Sequence, residues 1–376
     1  MQLTLPKFGA SRRTRHVRRG FSVPLPKRLE ATILGLDISD RTFKYVELKK
    51  GKAGKEIARF GKGAIPEGVI TQGIVQNEQA FADVLKESLG STKVHVHTAF
   101  SLPEELGFTR AITLPRMPLA DLRNALALQL EEHVPISGAE AAFDFELLET
   151  SNADVVNIVF SAFPLNVVET YTAALSRAGL HPAIAEPESQ ALARVVIPER
   201  EHGSVMVADI GLTRASFFFA YERLVRFTST VREFSGSLID TALLKTGKVL
   251  EKDLIEFKRD FMFMSGEMPE CDAAIKPMAD VLVSEMKKRI EFWSQGDDRT
   301  GGISLHVPPV SRVYLSGGES HLGGLPEFLS EELSIDVVRS SPWSNVFDLD
   351  HYIPDISSHD MLLYAAALGL SVNDAM

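Results

Sequence analysis

Residues 32–48 read TILGLDISDRTFKYVEL, and residues 205–221 read VMVADIGLTRASFFFAY. In each stretch an apolar run ends in an aspartate, a short polar turn follows, and a second run of strand-forming residues returns. The two aspartates, Asp37 and Asp209, are about 170 residues apart. A unit repeated at this distance predicts two similar lobes, each of which opens with a strand, a turn and a strand.

The rest of the chain alternates short apolar runs with segments of helical periodicity, which predicts an α/β fold. The polar residues 200–203 separate the two halves. We therefore expect a tail at 1–30, a first lobe at 31–202 and a second lobe at 203–376. Helices are predicted at 77–89, 118–134, 164–178, 234–245, 273–294, 322–332 and 360–369.

Three turns contain the candidate ligand-binding residues. Backbone N–H groups in the two aspartate turns can hold phosphate oxygens. Asp37 and Asp209 can hold a hydrated Mg²⁺ beside those phosphates, since this ion prefers carboxylate and water. A third turn, at Gly317 and Gly318, lets the backbone approach a flat nucleoside because neither residue has a side chain. If the three turns meet at one cleft, they predict a nucleotide site between the lobes.

Length and composition limit the class of protein. A chain of 376 residues is long for one core and suits two lobes. Cys271 is the single cysteine, which excludes an internal disulfide and a zinc cluster built on cysteine. No stretch approaches the roughly 20 apolar residues that span a bilayer, and the N-terminus lacks the apolar region of a secretory signal. We expect a cytoplasmic protein.

The first 30 residues differ in charge from the rest. They hold eight of the 40 Lys and Arg residues but only one of the 50 Asp and Glu residues. The remaining chain is strongly acidic, which argues against nucleic acid as a partner. Two interpretations of the basic tail stay open: a disordered, solvated leader, or a segment that contacts anionic lipid headgroups.

Five passages together resemble the PilM family of the actin/Hsp70/FtsA superfamily. LGLDISDRTFKYVELKK and VMVADIGLTRASFFF are similar to two phosphate loops, and VYLSGGESHLGGLPEFLSEEL is similar to an adenosine loop. AGLHPAIAEPESQALARV resembles the passage between the lobes. SLPEELGFTRAITLPRMPLADLRNALALQLEEHVPIS resembles an inserted-subdomain passage that actins and Hsp70 proteins lack, so it is the most specific. The resemblance covers residues 32–371.

This resemblance implies an actin-like fold of two ribonuclease-H-like lobes with ATP and Mg²⁺ in the cleft. It also implies an FtsA-type inserted subdomain at about 91–165 and a second inserted subdomain at about 233–306. Asp37 and Asp209 are the implied metal ligands. The implied nucleotide contacts are Asp37, Ser39, Lys44, Asp209, Gly211, Thr213, Arg214, Gly236, Lys258, Gly317 and Gly318.

Two loops depart from the family pattern. Residues 39–41 read SDR where glycine and small hydroxyl residues are usual, so we expect Asp40 to place a negative charge near the phosphates. Residues 213–215 read TRA where glycine and two threonines are usual, so hydroxyl contacts to the γ-phosphate are partly missing. Arg214 has two open interpretations, a phosphate ligand or a structural cation. We expect at most a weak ATPase.

The resemblance implies a cytoplasmic scaffold for type IV pilus assembly, peripheral to the inner face of the cell membrane. Its expected partner is the cytoplasmic N-terminal segment of a PilN-like bitopic membrane protein, alongside other platform and motor proteins. Three alternatives stay open. An FtsA-like division ATPase needs an anchor helix that residues 369–376 do not show. A small-molecule kinase needs a carboxylate base over its substrate, and a type II secretion platform protein continues into a membrane span.

Overall fold

The computed structural model describes residues 7–8, 33–52, 54–90, 97–148, 154–295 and 307–372. Strands and helices are interspersed along these residues. The strands are β1 (Lys7–Phe8), β2 (Ile33–Ile38), β3 (Thr42–Lys50), β4 (Lys55–Ala64), β5 (Ile70–Thr71), β6 (Ile74–Val75), β7 (His97–Leu102), β8 (Phe108–Pro115), β9 (Ala141–Leu148), β10 (Val155–Pro164), β11 (His181–Pro187), β12 (Ser204–Ile210), β13 (Ala215–Tyr221), β14 (Leu224–Val231), β15 (Val310–Ser316) and β16 (Asp336–Arg339). The helices are α1 (Glu78–Leu89), α2 (Leu119–His133), α3 (Leu165–Arg177), α4 (Glu188–Val196), α5 (Gly236–Lys245), α6 (Leu254–Asp260), α7 (Pro269–Gln295), α8 (Leu325–Leu333) and α9 (Ala365–Ser371).

Two large sheets share one strand order. In the first lobe the order is β11-β7-β2-β3-β4, and in the second it is β16-β15-β12-β13-β14. In the first lobe β2, β3 and β4 are antiparallel, and β7 and β11 run parallel to β2. In the second lobe β12, β13 and β14 are antiparallel, and β15 and β16 run parallel to β12. The duplication predicted from the two aspartate stretches therefore extends to the strand order of both sheets. The two-lobed α/β fold is confirmed. Strand β1 pairs in parallel with β11 at the sheet edge.

Strand β13 shows why the sequence places a sheet between two cores. Successive side chains of a strand point to opposite faces. Phe217 and Phe219 therefore pack with α5 and α7, while Phe218 packs with α4 and α9. All three rings are at most 1% exposed, and each such burial contributes about 1.5–3 kcal/mol. The second sheet is thus fixed on one face by its own lobe and on the other by helices that adjoin the first lobe.

A third sheet, β8-β10-β9, forms a separate inserted unit with α2. Leu122, Leu126 and Leu130 lie on one face of α2 and are buried against this sheet. The unit had been expected at about 91–165, but β7 lies in the middle of the first-lobe sheet, so the separate sheet begins only at Phe108. The sequence pattern also predicts a strand over residues 93–100; residues 93–96 lie outside the described residues, and β7 is described from His97.

The C-terminal helix α9 packs against the first lobe. A side chain at Gly35 on β2 would overlap the backbone of Ala367 on α9, and one at Gly369 would overlap the backbone of Ala191 on α4. Gly35 therefore permits α9 to approach the sheet closely, and Gly369 permits it to approach α4. By its contacts α9 belongs with the first lobe, although the predicted second lobe had included it.

The second lobe carries α5, α6 and α7 beside its sheet. Helix α7 begins at Pro269, earlier than the predicted 273, and the short α6 was not predicted. Among the described residues, no helix is both long and apolar enough to cross a membrane.

Candidate functional site

A cavity of about 470 Å³ lies between the two lobes. Both aspartate turns and the glycine turn line it, so the three turns meet at one cleft. Gly236 is the one predicted nucleotide contact that lies outside the lining. The cavity is lined by the other ten: Asp37, Ser39, Lys44, Asp209, Gly211, Thr213, Arg214, Lys258, Gly317 and Gly318.

The first turn holds the carboxylate of Asp37, which is only 4% exposed. Ser101 Oγ, on β7, donates to Asp37 Oδ1 at 3.1 Å, and Lys44 Nζ lies 3.4 Å from Asp37 Oδ2. The Ser39 N–H donates to the Thr42 carbonyl at 2.9 Å and closes the turn. The Ser39 amide therefore shapes the loop, while Asp37 and Lys44 present an ion pair to the cavity.

The Asp40 carboxylate is bound by backbone amides of a neighbouring turn. Its carboxylate accepts hydrogen bonds from the N–H groups of Gln72 at 2.8 Å and Gly73 at 2.9 Å, in the β5–β6 turn. Arg41, which does line the cavity, pairs with Glu67 at 3.2 Å. Two backbone donors therefore hold the Asp40 carboxylate, and Asp40 is not among the residues that line the cavity.

The second turn repeats the geometry of the first. The Gly211 N–H donates to the Arg214 carbonyl at 2.9 Å, as the amide of Ser39 does in its own turn. Asp209 precedes this turn. Its burial, and then the negative charge of Asp37 across the cleft, raise the pKa of Asp209 to about 6. One carboxylate from each lobe therefore faces the other.

This carboxylate pair fits a hydrated divalent cation. A cation between Asp37 and Asp209 would offset the repulsion between the two carboxylates. Within the described ranges, no group of three or more His, Cys, Asp or Glu side chains is arranged to hold a metal ion. The protein would therefore supply two ligands, and water and phosphate the others, which is the way Mg²⁺ is commonly bound.

Arg214 crosses from the second lobe to two carboxylates of the first. Its guanidinium lies 3.2 Å from Glu105 and 3.4 Å from Glu188. Burial, followed by the charges of Asp37 and Asp209, raises the pKa of Glu188 well above its ordinary value. The structure thus pairs Arg214 as a buried cation, which is one of the two roles that the sequence had left open.

Sequence reasoning did not single out Glu105 or Glu188. Glu188 follows a proline and begins α4, and acidic residues are common at helix N-termini whether or not a site is present. Glu105 lies in a short 3₁₀ turn, Glu104–Leu106. Neither position carries a local signal, because both side chains meet Arg214 only through the packing of the two lobes.

The glycine turn depends on one unusual backbone conformation. Gly317 has φ +83°, and a Cβ at this position would overlap the backbone of Ile210 in the second aspartate turn. Only glycine combines this conformation with so close an approach. Gly318 follows with the Leu363 side chain beside it. The glycine turn is therefore packed directly on the second aspartate turn.

Lys258, on α6, connects α5 to the glycine turn. Its Nζ lies 2.6 Å from Asp240 and 2.8 Å from Glu319. Burial alone would lower the pKa of Lys258, but the two carboxylates raise it overall. A Cβ at Gly236 would overlap the side chain of Glu319. Gly236 thus acts from behind the cleft, by leaving room for Glu319.

Two histidines also line this cavity. The rings of His321 and His359 stack with their centroids 4.4 Å apart. Burial, then the charges of His359 and Arg339, lower the pKa of His321 to about 4. His321 is therefore neutral at neutral pH, and the sequence had not marked it.

The paired sheets, facing aspartate turns and connecting glycine turn define an actin-like, two-lobed protein. The chain belongs to a particular family of this class: the family model described as type IV pilus assembly protein PilM matches residues 35–375. The family resemblance stated from the sequence is confirmed.

Comparison with solved structures supports the same fold. The chain is similar to a chain of a PilM–PilN type IV pilus biogenesis complex, with 23% identity and a TM-score of 0.74 over 92% of this chain and 99% of the other. Ethanolamine utilization protein EutJ from Carboxydothermus hydrogenoformans matches with 15% identity and a TM-score of 0.52 over 90% and 89% of the two chains. MreB5 of Spiroplasma citri bound to ADP matches with 10% identity and a TM-score of 0.52 over 92% and 96%. The predicted actin-like fold is confirmed.

Proposed function

We propose that this protein is a cytoplasmic scaffold of a type IV pilus assembly machine and binds the N-terminal segment of a PilN-like bitopic membrane protein. The observation that carries the proposal is the family match, which spans nearly all of the described chain. The similarity to a chain of the PilM–PilN complex supports it at the level of fold. Other pilus platform and motor proteins are further proposed partners.

The inserted unit offers a surface for such a segment. Strand β9 is an edge strand of the three-stranded sheet, and an extended peptide can add to an edge through backbone hydrogen bonds. Leu147 on β9 is 46% exposed, and Leu128 on α2 is 85% exposed. These apolar side chains support a partner surface on the inserted unit, with Leu147 as a direct contact.

The test is retention on a synthetic peptide that copies the cytoplasmic N-terminal segment of the PilN-like protein of the same organism. We expect the wild type to bind and Leu147→Asp to bind at least about ten-fold more weakly, since a charge would enter an apolar contact. Leu349→Asp is the matched control, because Leu349 is 44% exposed and lies outside the inserted unit. No binding by the wild type would remove the scaffold proposal. Equal binding by both variants would remove only the contact at Leu147.

The cleft supports a nucleotide as a regulator of this scaffold. ATP would lie between the two aspartate turns and the glycine turn, and Asp37 and Asp209 would hold Mg²⁺, which offsets phosphate charge. Lys44, which lines the cavity, would approach phosphate oxygens. Lys258 and Glu319, which form an ion pair in the lining, would lie on the nucleoside side. Binding would shift the population between lobe arrangements and so alter the partner surface.

Turnover is proposed to be weak at most, because Arg214 is engaged by Glu105 and Glu188 where relatives place small hydroxyl residues. The protein is proposed to lie at the inner face of the cell membrane. The basic residues of segment 1–30 would contact anionic lipid there, with each Lys or Arg near the surface worth about 1 kcal/mol. Beyond residues 7–8 this segment lies outside the described residues.

A further inference from the structure

We propose that Arg214 is a latch between the nucleotide cleft and the inserted unit, and that an anion bound at the second aspartate turn opens it. This inference rests on the proposed binding of nucleotide. The latch is the pair of contacts from Arg214, in the second lobe, to Glu105 and Glu188, in the first lobe. It would make the position of the inserted unit depend on the occupancy of the cleft.

The contacts are shielded from water. The side chains of Arg214 and Glu105 are each 9% exposed, and that of Glu188 is 15% exposed. Removing one partner from so buried a pair leaves a charge without compensation, which is strongly unfavourable. If a phosphate binds the Arg214 guanidinium, Glu105 and Glu188 both lose their cation. Each carboxylate must then become solvated, bind a proton or pair with another cation.

Glu105 is directly connected to the inserted unit. It lies in the 3₁₀ turn Glu104–Leu106, and β8 begins at Phe108. Its neighbour Glu104 accepts hydrogen bonds from the Ser189 N–H at 3.0 Å and the Ser189 hydroxyl at 3.1 Å. Two consecutive glutamates thus attach this turn to α4 of the first lobe and to the second aspartate turn. Displacement of Glu105 would be transmitted to the first strand of the inserted sheet.

The inserted sheet also rests on the second lobe beyond the latch. The guanidinium of Arg110 on β8 lies over the ring of Phe227 on β14, 5.2 Å from its centroid. A cavity of about 410 Å³ lies beside the 3₁₀ turn and β14, and its lining includes Glu105, Arg110 and Arg232 together with Glu104 and Glu233. This space gives Glu105 room to move and two cations to approach once Arg214 is engaged elsewhere.

The geometry of Glu105 indicates a contact that is only half satisfied. Its Oε1 meets Arg214, whereas its Oε2 is buried and has no hydrogen-bond partner among the described residues. A buried acceptor without a partner costs free energy. The Glu105 side chain is therefore held by Arg214, and the loss of that one cation favours a shift of this side chain toward the neighbouring cavity.

The test combines calorimetry with hydrogen–deuterium exchange on the full chain. Glu105→Gln removes the charge of the latch partner. Glu285→Gln is the control, since Glu285 pairs with Arg289 within one helix of the second lobe. In the wild type, ATP with Mg²⁺ should speed amide exchange over residues 104–115 by at least about five-fold, since even an exposed ion pair can contribute that much and this one is buried. Glu105→Gln should show the faster exchange without nucleotide, no further increase with it, and several-fold tighter ATP binding. Glu285→Gln should behave as the wild type.

The outcomes separate the latch from the function on which it rests. Calorimetry that shows ATP binding, with unchanged exchange over residues 104–115 in the wild type, overturns the latch and leaves nucleotide binding intact. An equal increase in the wild type and in Glu105→Gln also overturns it. A silent titration of both proteins overturns nucleotide binding and the latch together, while peptide retention still reports separately on the scaffold. If Glu105→Gln folds poorly, Arg214→Lys provides a second variant, which keeps the cation but shortens its reach and should also speed exchange.

Discussion

The carboxyl group of Asp209 lies close enough to Asp37 for the charge of Asp37 to raise its pKa. The two residues end equivalent strands of the two lobes, β2 and β12, so their proximity is a direct consequence of the internal duplication. Each is held in a turn that closes through the amide two residues further on. The cleft is therefore formed by backbone geometry that both lobes share.

Replacement of Asp209 by asparagine should stabilise the protein at neutral pH. The folded-state pKa is about 6 against an ordinary 3.8, so between these values the folded state binds more protons than the unfolded state. The free energy of unfolding contributed by this group consequently falls as pH rises through that window. Asp209→Asn should remove the decline and add on the order of 2 kcal/mol at pH 7, as measured by urea unfolding at pH 4.5 and pH 7 without metal or nucleotide.

Asp336→Asn is the control for that measurement. Asp336 pairs with Arg312 at the surface, where its side chain is 52% exposed, so the change should be within about 1 kcal/mol. An Asp209→Asn protein that keeps the wild-type dependence on pH would show that the pKa of Asp209 is not raised in the folded protein.

The proposed metal role of Asp37 can be tested separately from the turn in which this residue lies. Asp37→Asn should weaken the binding of ATP with Mg²⁺ by at least about ten-fold, since a neutral amide is a poor ligand for this ion. Removal of Mg²⁺ with EDTA should weaken the wild type similarly and Asp37→Asn very little. Isothermal titration calorimetry measures both effects.

Asp40→Asn is the matched control in the same turn. Its carboxylate accepts from two backbone amides outside the cavity lining. ATP affinity should therefore change less than two-fold, while the free energy of unfolding should fall by about 1 kcal/mol. Loss of ATP affinity in Asp40→Asn equal to that in Asp37→Asn would contradict the placement of the two carboxylates.

The outcome for Asp40 shows where sequence reasoning succeeds and where it ends. Strand alternation and the repeated aspartate turn are local properties, and from them the two lobes and the meeting of Asp37 with Asp209 could be predicted. The direction of the Asp40 side chain depends on the amides of Gln72 and Gly73, more than 30 residues away. No local sequence pattern indicates such a partner.

Arg214 shows the same limit on a larger scale. The sequence identified it as an unusual cation in a phosphate loop. Its partners, Glu105 and Glu188, lie in the other lobe and are brought to it only by the tertiary fold. Gly236 illustrates the reverse case: the family pattern predicts a nucleotide contact, whereas the structure shows a residue that makes space for Glu319.

His321 should make the protein less stable in mild acid. Its folded-state pKa of about 4 lies below the ordinary 6.5, so in this window the unfolded state binds more protons. The stability contributed by neutral His321 is therefore complete above about pH 6.5 and is lost as pH falls toward 4. His321→Gln should reduce this loss by about 1–2 kcal/mol, as measured by urea unfolding at pH 5 and pH 7.5.

The exposed His351 provides the control for that change, since its side chain is 67% exposed. His351→Gln should leave the difference between pH 5 and pH 7.5 as in the wild type. An unchanged difference in His321→Gln would mean that His321 does not lose its solvation in the folded protein.

Gly317 and Gly318 offer a paired test of the glycine turn. Gly317→Ala places a side chain at φ +83° and against the backbone of Ile210, so the free energy of unfolding should fall by about 2–4 kcal/mol. Gly318→Ala meets only the end of the Leu363 side chain, with the nearest atom at 3.3 Å, and should cost less than about 1 kcal/mol. Chemical denaturation measures both changes. Because the strain at Gly317 arises on the second aspartate turn, Gly317→Ala should also weaken ATP binding more than Gly318→Ala does. Equal stability of the two variants would show that the glycine turn does not rest on Ile210, and the cleft would then lose the contact that joins two of its three turns.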